Sequence, residues 1–232
     1  MDSARLELLL HDLESDRRSG ADVGERLCNA CVDMLDVSGA GIMLMTDGKH
    51  LGTLGISDHV MTVVEELQFT LGEGPCIDAF RSAEPVHEPD LVEPAILRWP
   101  AFAGPAIGVG VRAVFGFPLR SGVVSLGALD LYQDHAGGLE QRQVADAVVL
   151  TGVISSTILA LQADAAPDAL ADQIDMSMHH RAVVHQAAGM VSVQLGIDVA
   201  DALVRVRAYA YSSDSPINEV AGAIVGRQFR LE

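Results

Sequence analysis

The chain has 232 residues, is 49% hydrophobic and carries a formal net charge of −17. That length allows one large or two small domains, and the apolar fraction suffices for a real core, while the acidity opposes nonspecific attraction to polyanions. Three unevenly spaced cysteines argue against a disulfide framework, no 18-residue uncharged run marks a membrane span, and the N-terminus lacks a basic leader before an apolar core, so a cytoplasmic protein with no membrane partner is expected.

Leu6, Leu9, Leu10 and Leu13 recur at helical spacing before a break at Gly20, which predicts an N-terminal helix within residues 1–19. A second helix, about 21–36, turns Val23, Leu27, Cys31 and Leu35 inward. Cys28-x-x-Cys31 within it has the spacing of a redox or metal pair. No second pair or nearby histidine completes a tetrahedral site, and small apolar residues on a packed helix satisfy the same pattern.

Strand signals follow. The apolar run Gly41–Thr46 stops at Asp47-Gly48, a hairpin-type turn, and Leu51–Ile56 pairs with it. Asp58 opens a helical pattern that runs through Phe69. Leu71-Gly72-Glu73-Gly74-Pro75-Cys76-Ile77 is too rich in glycine and proline for regular structure until after Pro75. Val86–Pro89 is a short extended piece, Trp99–Ile107 an irregular helix, and Val111–Pro118 and Val124–Tyr132 are strands. Helices interspersed with paired strands suit an antiparallel sheet flanked by helices.

This segment, with Leu71-Gly-Glu-Gly-Pro-Cys-Ile-Asp78-Ala-Phe80 at its centre, resembles a GAF domain over residues 20–162. The resemblance implies a small-molecule pocket between sheet and loops, lined by Phe69, Cys76, Phe80, His87, Trp99, Phe102, Phe115 and Phe117. An ordinary aromatic core accounts for the same composition. His59 and His87 are candidate haem ligands and Cys76 a candidate redox thiol, although Glu73 and Asp78 beside Cys76 would raise its pKa. The residues name no cofactor.

Leu139–Gln162 reads as a connecting helix. Val144, Ala147, Thr151, Ile154, Ile158 and Leu161 form a seam at alternating spacings of three and four, and Val148, Leu150, Val153 and Leu159 make the other faces apolar. One side is expected on the sheet and the other in a parallel homodimer, with burial inside one domain as the alternative. Pro167 then interrupts the helix, marking residues 163–169 as a linker.

Residues 170–232 read as an all-α three-helix bundle, giving the whole chain an α+β sensor followed by an all-α unit. Val184, Ala187, Ala188, Val191 and Leu195 form one stripe ending at Gly196. Asp198 caps a second helix lined by Val199, Leu203, Val206 and Ala210. Ser215, with Pro216 at the first helical position, opens a third, lined by Ile217, Val220, Ala221, Ile224 and Val225. Ala187 and Gly189 are expected where two helices approach closely. Residues 1–164 hold 24 acidic and 10 basic side chains, a balance of −14, whereas residues 165–232 hold 8 and 5, a balance of −3.

Arg181…His185-Gln186-Ala187-x-Gly189-Met190, then Ala202-Leu203-x-x-x-Arg207-Ala208-x-Ala210, then Ile217-x-x-Val220-Ala221, is similar to the ANTAR domain. The whole layout resembles actinobacterial regulators that pair a GAF with an ANTAR domain. The resemblance implies binding of structured hairpin RNA in leader transcripts and transcription antitermination, through Arg181, Gln186, Arg205, Arg207, Tyr209, Asn218 and Arg227. Their chemistry is suitable, with arginines for phosphates and guanine edges, an aromatic for stacking and amides for base edges. Two positions depart from the family pattern, which has lysine where Ala188 stands and commonly methionine where Ser192 stands. A protein-docking bundle without RNA binding is the alternative. No phosphate loop, nucleophile elbow or zinc-protease motif appears, and no metal site or catalytic residue is assigned, so the chain does not read as an enzyme.

Overall fold

The computed structural model describes residues 20–46, 49–92, 95–164, 183–213 and 215–231. The expected N-terminal helix, the Asp47-Gly48 turn, the linker beyond Asp164 and Arg181 lie outside the described residues. The chain divides into two units, Met1–Ile174 and Asp175–Glu232.

The first unit runs α1 (Gly20–Leu35), β1 (Gly39–Thr46), β2 (Lys49–Ile56), α2 (His59–Leu71), α3 (Pro75–Ser82), β3 (Val86–Glu88), α4 (Ala95–Arg98), α5 (Ala103–Gly108), β4 (Ala113–Ser121), β5 (Val124–Gln133) and α6 (Gln141–Asp164). Its strands make one antiparallel sheet in the order β2-β1-β5-β4-β3. Helix boundaries follow local chemistry. Asp58 accepts the Met61 N–H at 2.9 Å, which satisfies one of the orphan donors at the start of α2, and Gly72, at φ 69°, ends that helix in the left-handed region. Pro75 opens α3, where its missing N–H and fixed φ cost nothing. Of the irregular helix expected over Trp99–Ile107, only α5 is helical and Trp99–Phe102 forms a turn, while α4 is a short helix that precedes the expected segment.

Period-two alternation sends the strands' side chains to opposite faces. On one face Ile42, Leu44, Phe115, Phe117, Leu129 and Leu131 pack with Leu27, Cys31 and Leu35 of α1 and with Ala147, Leu150, Ile154 and Ile158 of α6. On the other, Met43, Val114, Ala128 and Tyr132 meet residues of α2–α5 and of the turn between α4 and α5, among them Met61, Val64, Cys76, Phe102 and Ala106. Cys28 and Cys31 are free thiols buried in α1, and burial pushes Cys31 up to about 12, so both act as small apolar residues.

The expectation that the α6 seam itself holds the parallel dimer is corrected by this packing. Ala147, Ile154 and Ile158 are buried within the unit itself, because α6 lies across the sheet beside α1. Gln141–Ala163 has the length and apolarity of a membrane span, yet this face of it is used in the unit's own core. The apolar side left exposed carries Val148, Val149 and Leu159, at 52%, 43% and 38% exposure.

In the second unit a helix spans residues 183–195 (α7), followed by α8 (Val199–Ser212) and α9 (Ile217–Val225). Gly196 ends α7 at φ 67°, and Asp198 caps α8 by accepting the Asp201 N–H at 2.8 Å. Pro216, expected inside the third helix, precedes it, since its ψ of 133° is extended. Val184, Ala187, Ala188 and Val191 of α7 are buried, as are Ala202, Val206, Ala210, Ile217, Val220, Ala221 and Ile224. Gly189 does not mark a close helix approach: a Cβ built there would meet nothing within 4 Å among the described residues.

Candidate functional site

Asp130 sits at the middle of β5 with no exposure, between Ala128 and Tyr132 on the face that receives α2–α5. Its cross-strand partners are both glycines, Gly41 of β1 and Gly116 of β4. Those glycines make room for the helices. A Cβ on Gly41 would lie 2.8 Å from Glu65 Oε1, and one on Gly116 would lie 2.5 Å from the Pro75 carbonyl oxygen. Helices α2 and α3 therefore bring Glu65, Gln68 and Cys76 down onto the sheet around one carboxylate.

The polar groups there are coupled. Gln68 Nε2 donates to Asp130 Oδ2, and Gln68 Oε1 accepts the Cys76 N–H at 2.9 Å. Glu65, buried at 1% exposure, accepts the Thr53 hydroxyl at 3.0 Å. Asp130 Oδ1 has no hydrogen-bond partner among the described residues. Burial, and then the neighbouring Glu65 charge, push the Asp130 carboxyl well above the carboxylate range, against the opposing hydrogen bonds from Cys76 and Gln68. The Cys76 thiol is likewise raised, first by burial and then by Asp130 and Glu65, which disfavours a reactive thiolate.

Two acids of the glycine-rich stretch hold a cover over this face. Glu73 Oε1 accepts the backbone N–H groups of Ala101 and Phe102 at 2.6 and 2.9 Å. Asp78 Oδ2 accepts from Trp99 Nε1 at 3.1 Å and pairs with the Arg98 guanidinium at 3.0 Å. Arg98 in turn lies over the Trp99 ring, 4.7 Å from its centroid. Trp99 and Phe102, at 1% and 0% exposure, close over the core from that segment.

The eight expected pocket residues divide between the two faces of the sheet. Cys76, Phe80, Trp99 and Phe102 belong to the Asp130 side, and Phe69 is buried on α2. Phe115 and Phe117 point the other way, into the core with α1 and α6, and His87 meets both rings edge-on at 5.7 and 5.4 Å. His59 starts α2, so the two histidines lie on opposite sides of the sheet and form no joint haem site. Sequence reasoning missed Glu65, Gln68 and Asp130. The available signal was a lone aspartate inside the apolar strand Leu126–Tyr132.

The second unit carries a groove of about 700 Å³ lined by Gln186, Gly189, Met190, Val193, Gln194, Ile224, Arg227, Phe229 and Arg230. Tyr209 stacks on Phe229 with ring centroids 4.7 Å apart at 29°. Of the expected RNA-facing residues, Gln186 and Arg227 share this groove, and Tyr209 adjoins it through Phe229. Arg205 is exposed on α8, Arg207 and Asn218 are half-buried, and Asn218 Oδ1 is buried without a partner among the described residues. Phe229 was not singled out from sequence, because it follows α9 in a stretch without helical periodicity.

A family model described as GAF domain matches residues 18–158. Among solved structures, the GAF domain of a phosphoenolpyruvate-protein phosphotransferase from Coxiella burnetii superposes with a TM-score of 0.57 at 16% identity, covering 69% of this chain and 94% of that one. The corresponding domain from Acinetobacter gives 0.53 at 16% identity, covering 70% and 98%. At such identities the likeness is one of fold. No curated protein matches the chain.

Proposed function

The chain belongs to the GAF domain family, and on that premise we propose that it is a cytoplasmic, dimeric two-part regulator rather than an enzyme. Its GAF unit senses a small molecule, and its C-terminal unit binds hairpin RNA of a leader transcript, where binding promotes antitermination. The observation that carries the RNA reading is the groove of the second unit. It gathers Gln186, Arg227 and Arg230 beside the stacked Tyr209–Phe229 pair. Guanidinium groups suit phosphates, an amide suits a base edge, and an exposed aromatic face suits an unstacked loop base. The pattern from Arg181 to Ala221 that is similar to the ANTAR family supports the same assignment. Ala188, where that family has lysine, is buried and packs, so the reading draws its cations from Arg227 and Arg230.

The exposed Val148, Val149 and Leu159 on α6 support the dimer, because an apolar side of a long helix gains by being covered. The apolar part of the groove, Met190, Val193, Ile224 and Phe229, favours one second reading, in which a partner protein docks there. Recovering and sequencing the RNA that copurifies with the chain from its own cells tests the proposal. Enrichment of leader hairpins is the expected result, and protein partners without enriched RNA would support the docking reading.

A further inference from the structure

The groove of the second unit has two walls of different build. Helix α7 turns Gln186, Gly189, Met190, Val193 and Gln194 toward it, spaced as one face of a helix and opposite the buried Val184, Ala187, Ala188 and Val191. Gly189 stands in the middle of that face. Apart from proline, glycine is the residue a helix interior tolerates least, and no packing requires it here. A Cβ on Gly189 would meet nothing within 4 Å among the described residues, so the helix backbone lies bare toward the groove.

The other wall is the chain after α9. Arg227, at φ 56°, and Gln228 return their N–H groups to the carbonyls of Ile224 and Ala223 at 3.0 and 2.8 Å, which ends the helix in a tight reversal. Leu231 is then buried, and its carbonyl accepts from Gln194 Nε2 of α7. Between these two anchors Phe229 lines the groove, its ring backed by Tyr209 of α8, so the loss of either ring loosens this wall. A fixed aromatic ring on one side, bare helix backbone on the other and Arg227 and Arg230 beside them suit a flat group carried on a polyanion. We propose that an unstacked base of the bound RNA inserts between Phe229 and α7 at Gly189, an inference that rests on the RNA-binding reading above. Phe229 is the stacking platform, and the missing side chain of Gly189 lets the base reach the helix backbone. Stacking of this kind accepts any base, so the insertion contributes affinity, and Gln186 on the same face of α7 is the group able to read a base edge.

Affinity of the full chain for a two-hairpin RNA, with melting curves, tests the insertion in the wild type, Gly189→Ala, Phe229→Leu and the control Gly222→Ala. Gly222 lies within α9 and outside the groove, and a Cβ there likewise meets nothing within 4 Å among the described residues. Both glycine variants should melt no lower than the wild type, since alanine is the better helix former. Gly189→Ala and Phe229→Leu should each weaken binding roughly tenfold or more, the loss of one stacked base, with the salt slope unchanged because no phosphate contact is lost. Gly222→Ala should bind as the wild type does. Gly189→Ala reports even where Phe229→Leu fails to fold. Full binding by Gly189→Ala overturns the insertion while the RNA reading stands, and so does equal weakening by Gly222→Ala, which marks a general effect of stiffer helices. A lower melting temperature for Gly189→Ala also overturns it, because the space is then already filled. Absence of RNA binding by the wild type overturns the RNA reading and the insertion with it.

Discussion

Gln68 and Asp130 are joined by a hydrogen bond made entirely inside the protein, from the Gln68 amide nitrogen on α2 to Asp130 Oδ2 at the middle of the sheet. The bond fixes one carboxylate oxygen and leaves the other, Oδ1, without a partner among the described residues. A buried carboxyl so placed favours its neutral form.

The stability of the first unit is therefore expected to depend on Asp130 with a definite sign. Its folded pKa is raised, so between the ordinary carboxylate value and that raised value the folded state holds a proton that the unfolded chain has lost. Stability from this group falls as pH rises through that window, by about 1.4 kcal/mol per pH unit for one proton. Asp130→Asn keeps an acceptor for Gln68 and removes the titration. Melting curves from pH 4 upward should show the variant gaining on the wild type as pH increases, and parallel curves would contradict the assignment.

The two glycines beside Asp130 should differ in tolerance. Gly116→Ala sets a Cβ against the Pro75 backbone, which cannot move without displacing α3, whereas Gly41→Ala meets first a side-chain oxygen of Glu65. Overpacking of this kind costs roughly 1–3 kcal/mol, and Gly116→Ala is expected to be the more costly. Denaturant unfolding of both variants decides it.

Glu73→Ala removes the acceptor shared by the Ala101 and Phe102 N–H groups. The loss is expected to lie at about 1–3 kcal/mol, the cost of leaving buried donors unpaired. Amide exchange at Ala101 and Phe102 should accelerate while exchange in β4 and β5 stays slow. Uniform acceleration across the sheet would mean that Glu73 supports the whole unit rather than its cover.

On α6 the two apolar sides should answer differently. Ile154→Asp buries a charge in the unit's own core and should unfold it, at a cost of several kcal/mol. Val148→Asp with Val149→Asp alters exposed positions and should preserve the fold while converting dimers to monomers. Sedimentation with far-UV circular dichroism separates the two, and a wild type monomeric at high concentration removes the dimer from the proposal.

Local signals in the sequence located the elements well, because caps act within a few residues. Asp58, Gly72, Asp198 and Gly196 end or start helices where their side chains or φ values require. What depends on register was not legible. The family resemblance implied that Phe115 and Phe117 line a pocket, and only the β4–β5 pairing, Phe115 with Leu131 and Phe117 with Leu129, assigns them to the α1–α6 core. Asp130 was hidden for the same reason, since its meaning comes from Gly41 and Gly116 on neighbouring strands. The seam on α6 had the right spacing for a coiled coil and is used within the unit, a choice that periodicity alone does not make.

The central claim, RNA binding by the second unit, is tested most directly by affinity for a two-hairpin RNA measured across a salt series, for the wild type, Arg227→Ala and Tyr209→Ala. The wild type should bind with affinity falling steeply as salt rises. Arg227→Ala, altering an exposed groove residue, should weaken binding and reduce the salt slope by roughly 0.7–0.9, the loss of about one phosphate contact. Tyr209→Ala should lose about 1–3 kcal/mol of stacking with the slope nearly unchanged. No RNA binding at any salt concentration, or equal binding by all three proteins with Tyr209→Ala merely melting lower, would contradict the account.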